Sequence, residues 1–260
     1  RAEVSAFVIV PAGNIAVGKL SQAVVHGAKV LSVEGNFDDA FRVVRGVSEA
    51  RPVTVVNSVN PYRLQGQKTA AFEICDVLGR APDYHILPVG NAGNITAYWM
   101  GYREYQSDGI VDSAPRMMGF QAAGAAPIVL GKRVDEPQTI ASAIRIGDPV
   151  SWKAAEAARD ESGGDIATVS DAEIMEAYKM LARREGIFCE PASAASLAGL
   201  LKAVRGGASL QESVIVCVIT GNGLKDPSVA RELADRPTEQ APPDLAVVAQ
   251  LLGAPSKRGE

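Results

Sequence analysis

Short apolar runs alternate with longer amphipathic stretches along most of the chain. Seven runs predict β-strands, namely residues 6–11, 28–33, 52–57, 84–88, 116–124, 165–169 and 213–219. The stretches between and after them predict helices, namely residues 16–25, 36–47, 69–77, 95–102, 171–184, 192–204 and 245–252. Strands that are separated by helices of this length are joined by right-handed crossovers and lie parallel in a sheet. The pattern therefore predicts an α/β fold.

Local features sharpen several of these elements. Residues 213–219 are apolar without interruption, which is typical of a central strand that is buried on both faces. Ser170 and Glu173 have the spacing of a capping box, which predicts that a helix begins just after Ser170. Residues 58–68 and 125–151 lack a regular pattern and are predicted to be loops, and the longer loop is expected to border a functional site.

A glycine-rich segment, GNAGN at residues 90–94, joins the strand at 84–88 to the helix at 95–102. Its two glycines let the backbone approach a ligand closely. The first turn of the following helix presents unpaired N–H groups at the positive end of the helix dipole, so the segment predicts a phosphate pocket. Glycine and asparagine are also common in plain turns, because both tolerate left-handed conformations, and a simple connection is the alternative.

Further polar groups are expected where two other strands end. Ser58 follows the strand at 52–57, and Thr220 follows the strand at 213–219. Open α/β sheets bind their ligands at this carboxyl edge. Arg63, in the loop after Ser58, carries a planar fork of donors that suits a bidentate contact with an oxyanion. A solvated loop with a surface arginine is the alternative interpretation.

The overall composition excludes several classes of function. The hydrophobic share of 47% and the charged share of 22% are those of an ordinary globular protein. A net charge of −4 and a pI near 5.4 provide no basic surface for nucleic acid and no attraction to anionic membranes. No apolar run has the length that a membrane span requires.

The cysteines and histidines predict neither a metal site nor a catalytic triad. Cys75, Cys189 and Cys217 lie in apolar surroundings without the spacing of a disulfide or zinc framework. They are expected to be reduced core residues of a cytoplasmic protein. His26 and His85 are the only two histidines, and because neither belongs to a supporting motif, structural roles are favoured over catalysis.

Six ordered motifs resemble those of bacterial threonine synthases, which are pyridoxal-phosphate (PLP) enzymes of fold type II. They are PAGN at 11–14, GNFDD at 35–39, NSVNP at 57–61, GNAGN at 90–94, EPASA at 190–194 and TGNGLKDP at 220–227. The resemblance implies two open, twisted, mostly parallel sheets flanked by helices, as in tryptophan synthase beta. It also implies that residues 1–57 are the remainder of a smaller mobile domain. Residues 58–260 would form the larger cofactor-binding domain, with a C-terminal linker and helix.

The resemblance assigns roles to particular residues. The loop that would hold the cofactor phosphate consists of Gly90, Asn91, Ala92, Gly93 and Asn94. Thr220 would hydrogen-bond the pyridine nitrogen of PLP. Ser58, Arg63 and Asn91 would bind the phosphate of the substrate, O-phospho-L-homoserine. The implied reaction adds water and releases phosphate to give L-threonine, the last step of threonine biosynthesis.

The chain departs from the family pattern in one respect. In the family, the Schiff-base lysine lies upstream of the residue that matches Phe7, so the chain is expected to be N-terminally incomplete and to contain no catalytic residue. The segment alone is therefore expected to be inactive. Two alternatives stay open: another fold type II enzyme, such as a threonine dehydratase or cysteine synthase, and a non-catalytic ligand-binding module. A homodimer is expected from the family and from the small-residue helices.

Overall fold

A computed structural model describes residues 3–12, 17–35, 37–57, 60–232 and 240–253. The chain divides into two compact units, residues 1–227 and 228–260. The strands are β1 (Phe7–Pro11), β2 (Lys29–Val33), β3 (Tyr84–Pro88), β4 (Arg116–Ala122), β5 (Asp165–Val169) and β6 (Ile215–Cys217). The helices of the first unit are α1 (Val17–Val25), α2 (Phe37–Ala50), α3 (Pro61–Gln67), α4 (Thr69–Leu78), α5 (Gly93–Ser107), α6 (Pro127–Leu130), α7 (Trp152–Glu161), α8 (Asp171–Arg184) and α9 (Pro191–Arg205).

The remaining elements are short. Two 3-10 helices span Ser142–Ile144 and Gly223–Lys225, α10 (Pro227–Glu232) follows, and α11 (Leu245–Leu251) lies in the second unit. The predicted C-terminal helix is thus confirmed, whereas residues 236–239 of the predicted linker, 236–243, lie outside the described residues. Over the described ranges, the helices lack the combination of length and apolarity that crossing a membrane requires.

The strands form two parallel sheets, as predicted. One has the order β1-β2 and the other the order β5-β4-β3-β6, and every strand pair is parallel. Because neighbouring strands run in the same direction, their carboxyl ends meet at one edge of each sheet. The α/β fold with two sheets is confirmed, while the division into domains at residues 57 and 58 stays a prediction.

Helices cover both faces of the four-stranded sheet. Side chains alternate along a strand, so neighbouring residues of β4 face opposite sides. Gly119 faces α5, where an added Cβ would lie 3.3 Å from Ile95. Phe120 faces α9, where a Cβ on Gly199 would lie 2.2 Å from its ring, so the small residue allows the helix to approach closely. The core between the sheet and helices α4, α5 and α7 includes the fully buried Tyr102.

One strand prediction is wrong, and another is wrong in part. Residues 52–57 form no strand in the described structure, although their valines have strand propensity. A strand requires a paired edge, and the main chain here is held instead by local contacts, such as the hydrogen bond from Asn60 Nδ2 to the carbonyl of Val55 at 2.8 Å. The run at 213–219 yields only the three residues of β6, and this strand lies at the edge of the sheet with partly exposed residues instead of at its centre.

Helix α3 replaces part of the loop that was predicted at residues 58–68. Asn60 is its N-cap, and Oδ1 of this residue accepts the N–H of Tyr62 at 2.9 Å. Pro61 occupies the first turn, where its missing N–H and fixed φ favour a helix. The predicted loop at 125–151 is largely irregular, but it contains α6 and a 3-10 helix.

Replacing Ser170 by alanine is expected to destabilise the chain by about 1 kcal/mol. Ser170 Oγ accepts the N–H of Glu173 at 3.2 Å, and the Glu173 carboxylate accepts the N–H of Ser170 at 2.7 Å, which confirms the predicted capping box. Urea unfolding measures the loss. Ser151→Ala is the matched control, because Ser151 is the N-cap of α7 but makes no side-chain capping bond in the described structure. Equal losses in both variants would contradict the capping role.

Candidate cofactor site

The glycine loop leaves the sheet at the carboxyl end of β3. The N–H of Val89 donates to the carbonyl of Phe120 at 2.8 Å, and α5 begins four residues later at Gly93. Ala92 is buried and has φ +64°, a left-handed conformation that costs a non-glycine residue roughly 1 kcal/mol. Ala92 is also the N-cap and supplies no side-chain acceptor, so the helix end is not closed by a cap. Such an end favours an anion.

Two asparagine side chains hold the loop in shape. Oδ1 of Asn91 accepts the N–H of Val150 at 2.9 Å. Nδ2 of Asn94 donates to the carbonyl of Pro88 at 2.7 Å, and its Oδ1 accepts the N–H of Ile95 at 2.9 Å. These side-chain atoms are occupied within the protein. The loop's backbone N–H groups are therefore the donors best suited to a phosphate.

A segment from the long loop packs against the glycine loop. A Cβ on Gly90 would lie 3.0 Å from both the carbonyl oxygen of Ala143 and the Cα of Ile144, so only glycine fits without displacement. In the same segment, Ser142 Oγ donates to Oδ2 of Asp226 at 2.8 Å. Residues 142–144 thus connect the glycine loop with the turn at Asp226, as expected of a loop that borders the site. The sequence carried no signal for these particular contacts, because they join distant residues.

Thr220 lies at the same sheet edge as the glycine loop. Ile86 of β3 is paired with Cys217 of β6. Three residues beyond this pair, the first strand leads to Val89 and the second leads to Thr220. Both strands are parallel, and both segments therefore emerge from the same side of the sheet. The Thr220 side chain is exposed there. The structure brings these two predicted parts of the site together.

The turn after Thr220 is locked to the start of α9. The N–H of Gly221 donates to Ser193 Oγ at 2.8 Å, and the N–H of Glu190 donates to the carbonyl of Gly221 at 2.9 Å. A Cβ on Gly221 would lie 2.2 Å from Oε1 of Glu190, so this glycine allows the carboxylate to pack against the backbone. Ser193 and Glu190 were not predicted as site residues. Their motif, EPASA, was the available signal.

Arg63 is carried by a helix that lies against the glycine loop. A Cβ on Gly93 would be 3.8 Å from Cδ2 of Leu64, the residue after Arg63 in α3. Arg63 is exposed, and it forms no ion pair with any residue that the structure describes. Ser58, the other predicted phosphate ligand, lies outside the described residues.

Burial affects Cys189, Cys217 and His85 to different degrees. Burial raises the pKa of the Cys189 and Cys217 thiols to about 11, so both are neutral near pH 7 and are poor nucleophiles. His85 is fully buried, with Nδ1 2.8 Å from the Tyr102 hydroxyl. Cys189 and His85 are buried, as predicted, whereas Cys217 is only partly buried on the edge strand β6.

Comparison with known proteins identifies the family. Residues 1–221 match the family of pyridoxal-phosphate dependent enzymes. A threonine synthase of Mycobacterium leprae is 56% identical over 255 residues, which cover 97% of this chain and 70% of that protein. The chain belongs to the threonine synthase family of pyridoxal-phosphate dependent enzymes. A threonine synthase of Synechocystis sp. is 58% identical over 257 residues, and the chain spans 66% of its length. The resemblance inferred from the six motifs is confirmed.

Solved structures confirm the fold of this threonine synthase family member. Maize serine racemase has a TM-score of 0.71 at 20% identity, and the match covers 88% of this chain and 69% of the racemase. Threonine deaminase isoform 2 from Solanum lycopersicum has a TM-score of 0.72 at 19% identity, covering 89% of this chain and 67% of the deaminase. At such identities the likeness establishes the architecture alone, which is that of fold type II.

The described residues fit the cofactor of the family at both of its polar ends. The uncapped start of α5 and the close approach at Gly90 suit the phosphate group of PLP. The hydroxyl of Thr220, at the same sheet edge, suits the ring nitrogen. These groups of the threonine synthase family member are thus chemically suited to the two polar ends of PLP.

Proposed function

We propose that the protein containing this chain is a threonine synthase, which converts O-phospho-L-homoserine and water to L-threonine and phosphate. The observation that carries the proposal is the identity of 56–58% to threonine synthases over 97% of the chain. The site supports it, because the glycine loop, Thr220 and the helix with Arg63 adjoin one edge of the sheet.

The proposed roles follow from the donors at this edge. Backbone N–H groups of residues 90–94 bind the cofactor phosphate, and Thr220 contacts the ring nitrogen. When bound, the cofactor delocalises negative charge that develops on the substrate. Arg63 and Ser58 hold the substrate phosphate by charge-assisted and hydroxyl hydrogen bonds. Asn91 is the third proposed ligand of this phosphate, as the resemblance to the family implies, and its Oδ1 is held by the N–H of Val150.

The test compares the full-length product of the gene that encodes this chain with the 260-residue chain itself. Both are supplied with PLP and O-phospho-L-homoserine, and L-threonine and phosphate are measured. We expect equal amounts of both products from the full-length protein. Little or no turnover is expected from the shorter chain, because none of its lysines lies in the family's lysine motif.

Two outcomes would contradict these proposals. Ammonia and an oxo acid formed from L-threonine, without L-threonine formed from the phosphorylated substrate, would indicate a dehydratase. Threonine formation by the 260-residue chain would refute its inactivity. Phosphate release from an unrelated phosphomonoester serves as the control for contaminating phosphatase.

We further propose that the protein is a cytoplasmic homodimer and that residues 1–57 belong to a smaller mobile domain. The cysteines support the cytoplasm, because Cys75, Cys189 and Cys217 are all free thiols. Support for the dimer comes from the family alone. The small residues of α9 are buried within this chain, against β4 and α8, and so give no independent argument for a second subunit.

A further inference from the structure

Two hydroxyl groups meet at the carboxyl edge of the four-stranded sheet. Oγ of Ser193, in the first turn of α9, lies 2.9 Å from Oγ1 of Thr220. Ser193 is fully buried, whereas Thr220 is exposed. The hydroxyl of Thr220 is thus held by a second, buried hydroxyl, which can both donate and accept.

The hydrogen bonds around Ser193 indicate which hydroxyl donates. Ser193 Oγ accepts the N–H of Gly221 at 2.8 Å, and its single proton needs an acceptor of its own. Two acceptors are within reach, Thr220 Oγ1 at 2.9 Å and the carbonyl oxygen of Gly221 at 3.3 Å. That carbonyl already accepts the N–H of Glu190 at 2.9 Å. The shorter distance and the occupied carbonyl both favour donation from Ser193 to Thr220.

We infer that Ser193 is a positioning residue, which makes the Thr220 hydroxyl a hydrogen-bond donor toward the ring nitrogen of the cofactor. The inference rests on the proposed function. Once Thr220 Oγ1 accepts the proton of Ser193, its own proton is left for a ligand. A neutral ring nitrogen has the lone pair that accepts this proton, whereas a protonated nitrogen would place a second donor in the same contact. The contact therefore stabilises the neutral ring nitrogen.

The carboxylate of Glu190 is the charge that could oppose this effect. It packs against the backbone of Gly221, and its Oε2 is buried without a hydrogen-bond partner among the described residues. Among the described residues, the Glu190 carboxylate forms no hydrogen bond with the Thr220 hydroxyl, whose partner is Ser193. A carboxylate close to a ring nitrogen favours the protonated form. The variant Glu190→Gln therefore measures the influence of this charge separately from that of Ser193.

The test uses the full-length holoprotein loaded with PLP that carries ¹⁵N in its ring. Neutral and protonated ring nitrogens resonate at well-separated ¹⁵N shifts, so the wild-type spectrum near pH 7 reports the protonation state directly. We expect a neutral, hydrogen-bonded nitrogen, and a protonated nitrogen would overturn the inference. If the wild-type protein takes up no labelled cofactor, the proposed function fails, and the inference falls with it.

Variants then separate positioning from structural support. Ser193→Ala is expected to move the ¹⁵N signal toward that of a nitrogen without a hydrogen bond and to weaken cofactor affinity about three- to tenfold. Ser196→Ala is the matched control, because Ser196 is equally buried in α9 and donates to the carbonyl of Ser193 at 2.9 Å. It should leave the ¹⁵N signal unchanged.

An unchanged ¹⁵N signal in Ser193→Ala, with only the melting temperature lowered, would overturn the positioning role. Should Ser193→Ala fail to fold, Ser193→Cys replaces it, because a thiol keeps the approximate shape and is a weaker donor. Without any variant, the wild-type spectrum decides whether the ring nitrogen is neutral and hydrogen-bonded.

Discussion

Acidification from pH 7 to pH 5 is expected to destabilise the folded chain by about 2 kcal/mol through His85 alone. Burial lowers the pKa of His85 from an ordinary value of 6.5 to about 3. The ring is fully buried, its Nδ1 is 2.8 Å from the Tyr102 hydroxyl, and its Nε2 has no hydrogen-bond partner among the described residues. A proton on this imidazole would therefore be poorly compensated.

The direction of the effect follows from the two protonation states. Between pH 6.5 and pH 3 the unfolded chain binds a proton at His85 that the folded chain does not. This contribution to stability is present above pH 6.5 and is lost as the pH falls toward the folded pKa. At pH 5 the pH lies ~1.5 units below the ordinary pKa of 6.5, and each unit corresponds to about 1.4 kcal/mol, which gives the loss of about 2 kcal/mol.

Urea unfolding at both pH values measures this loss for the wild type and for His85→Phe. The variant should be less stable at pH 7 but should lose about 2 kcal/mol less than the wild type on acidification. His26→Gln is the matched control, since it removes the other histidine of the sequence, which is exposed. If His85→Phe and the wild type lose the same stability, His85 is not the group that titrates.

Replacing Arg63 by alanine is expected to raise the KM of the holoenzyme for O-phospho-L-homoserine about 10- to 100-fold, with little change in PLP affinity. A hydrogen bond to a charged group contributes about 1.5–3 kcal/mol, which corresponds to this range. Arg63 is exposed on α3, and the neighbouring Leu64 faces the glycine loop. Arg63 is thus an exposed side chain on the helix that adjoins the loop, and its contact with the substrate phosphate is the proposal under test.

Steady-state kinetics and a PLP titration separate the two effects. Arg63→Lys keeps the charge but loses the planar fork, so it should recover only part of the affinity. Gln65→Ala changes another exposed residue of the same short helix and should behave as the wild type. Equal weakening of PLP and substrate in Arg63→Ala would place the arginine at the cofactor instead, and unchanged kinetics would remove it from the site.

Elements with strong local signals were predicted closely. The strands at 84–88 and 165–169 coincide with β3 and β5, and the capping box of α8 has the predicted hydrogen bonds. Helix α3 was missed even though Asn60 and Pro61 are good first residues of a helix. Its polar composition concealed the amphipathic pattern on which helix prediction mainly depends.

Predictions that depended on neighbours were less successful. Residues 52–57 have strand propensity but belong to neither sheet of the described structure, and β6 lies at an edge that its apolar sequence did not indicate. Propensity reports how a residue fits a half-buried pleated surface, and it does not specify which strand lies alongside. Strand order and burial are decided by long-range packing.

The sequence by itself determined the α/β class, the glycine loop at the end of β3 and the family, because periodicity, turn chemistry and ordered motifs depend on residues that are close together in the sequence. Only the tertiary structure decided how the loop is supported. Asn91 is joined to Val150, and Ser193 is joined to Thr220, across 59 and 27 residues of chain. Such contacts form only when the folded chain brings distant segments to the carboxyl edge of the sheet, and they leave no local pattern in a sequence.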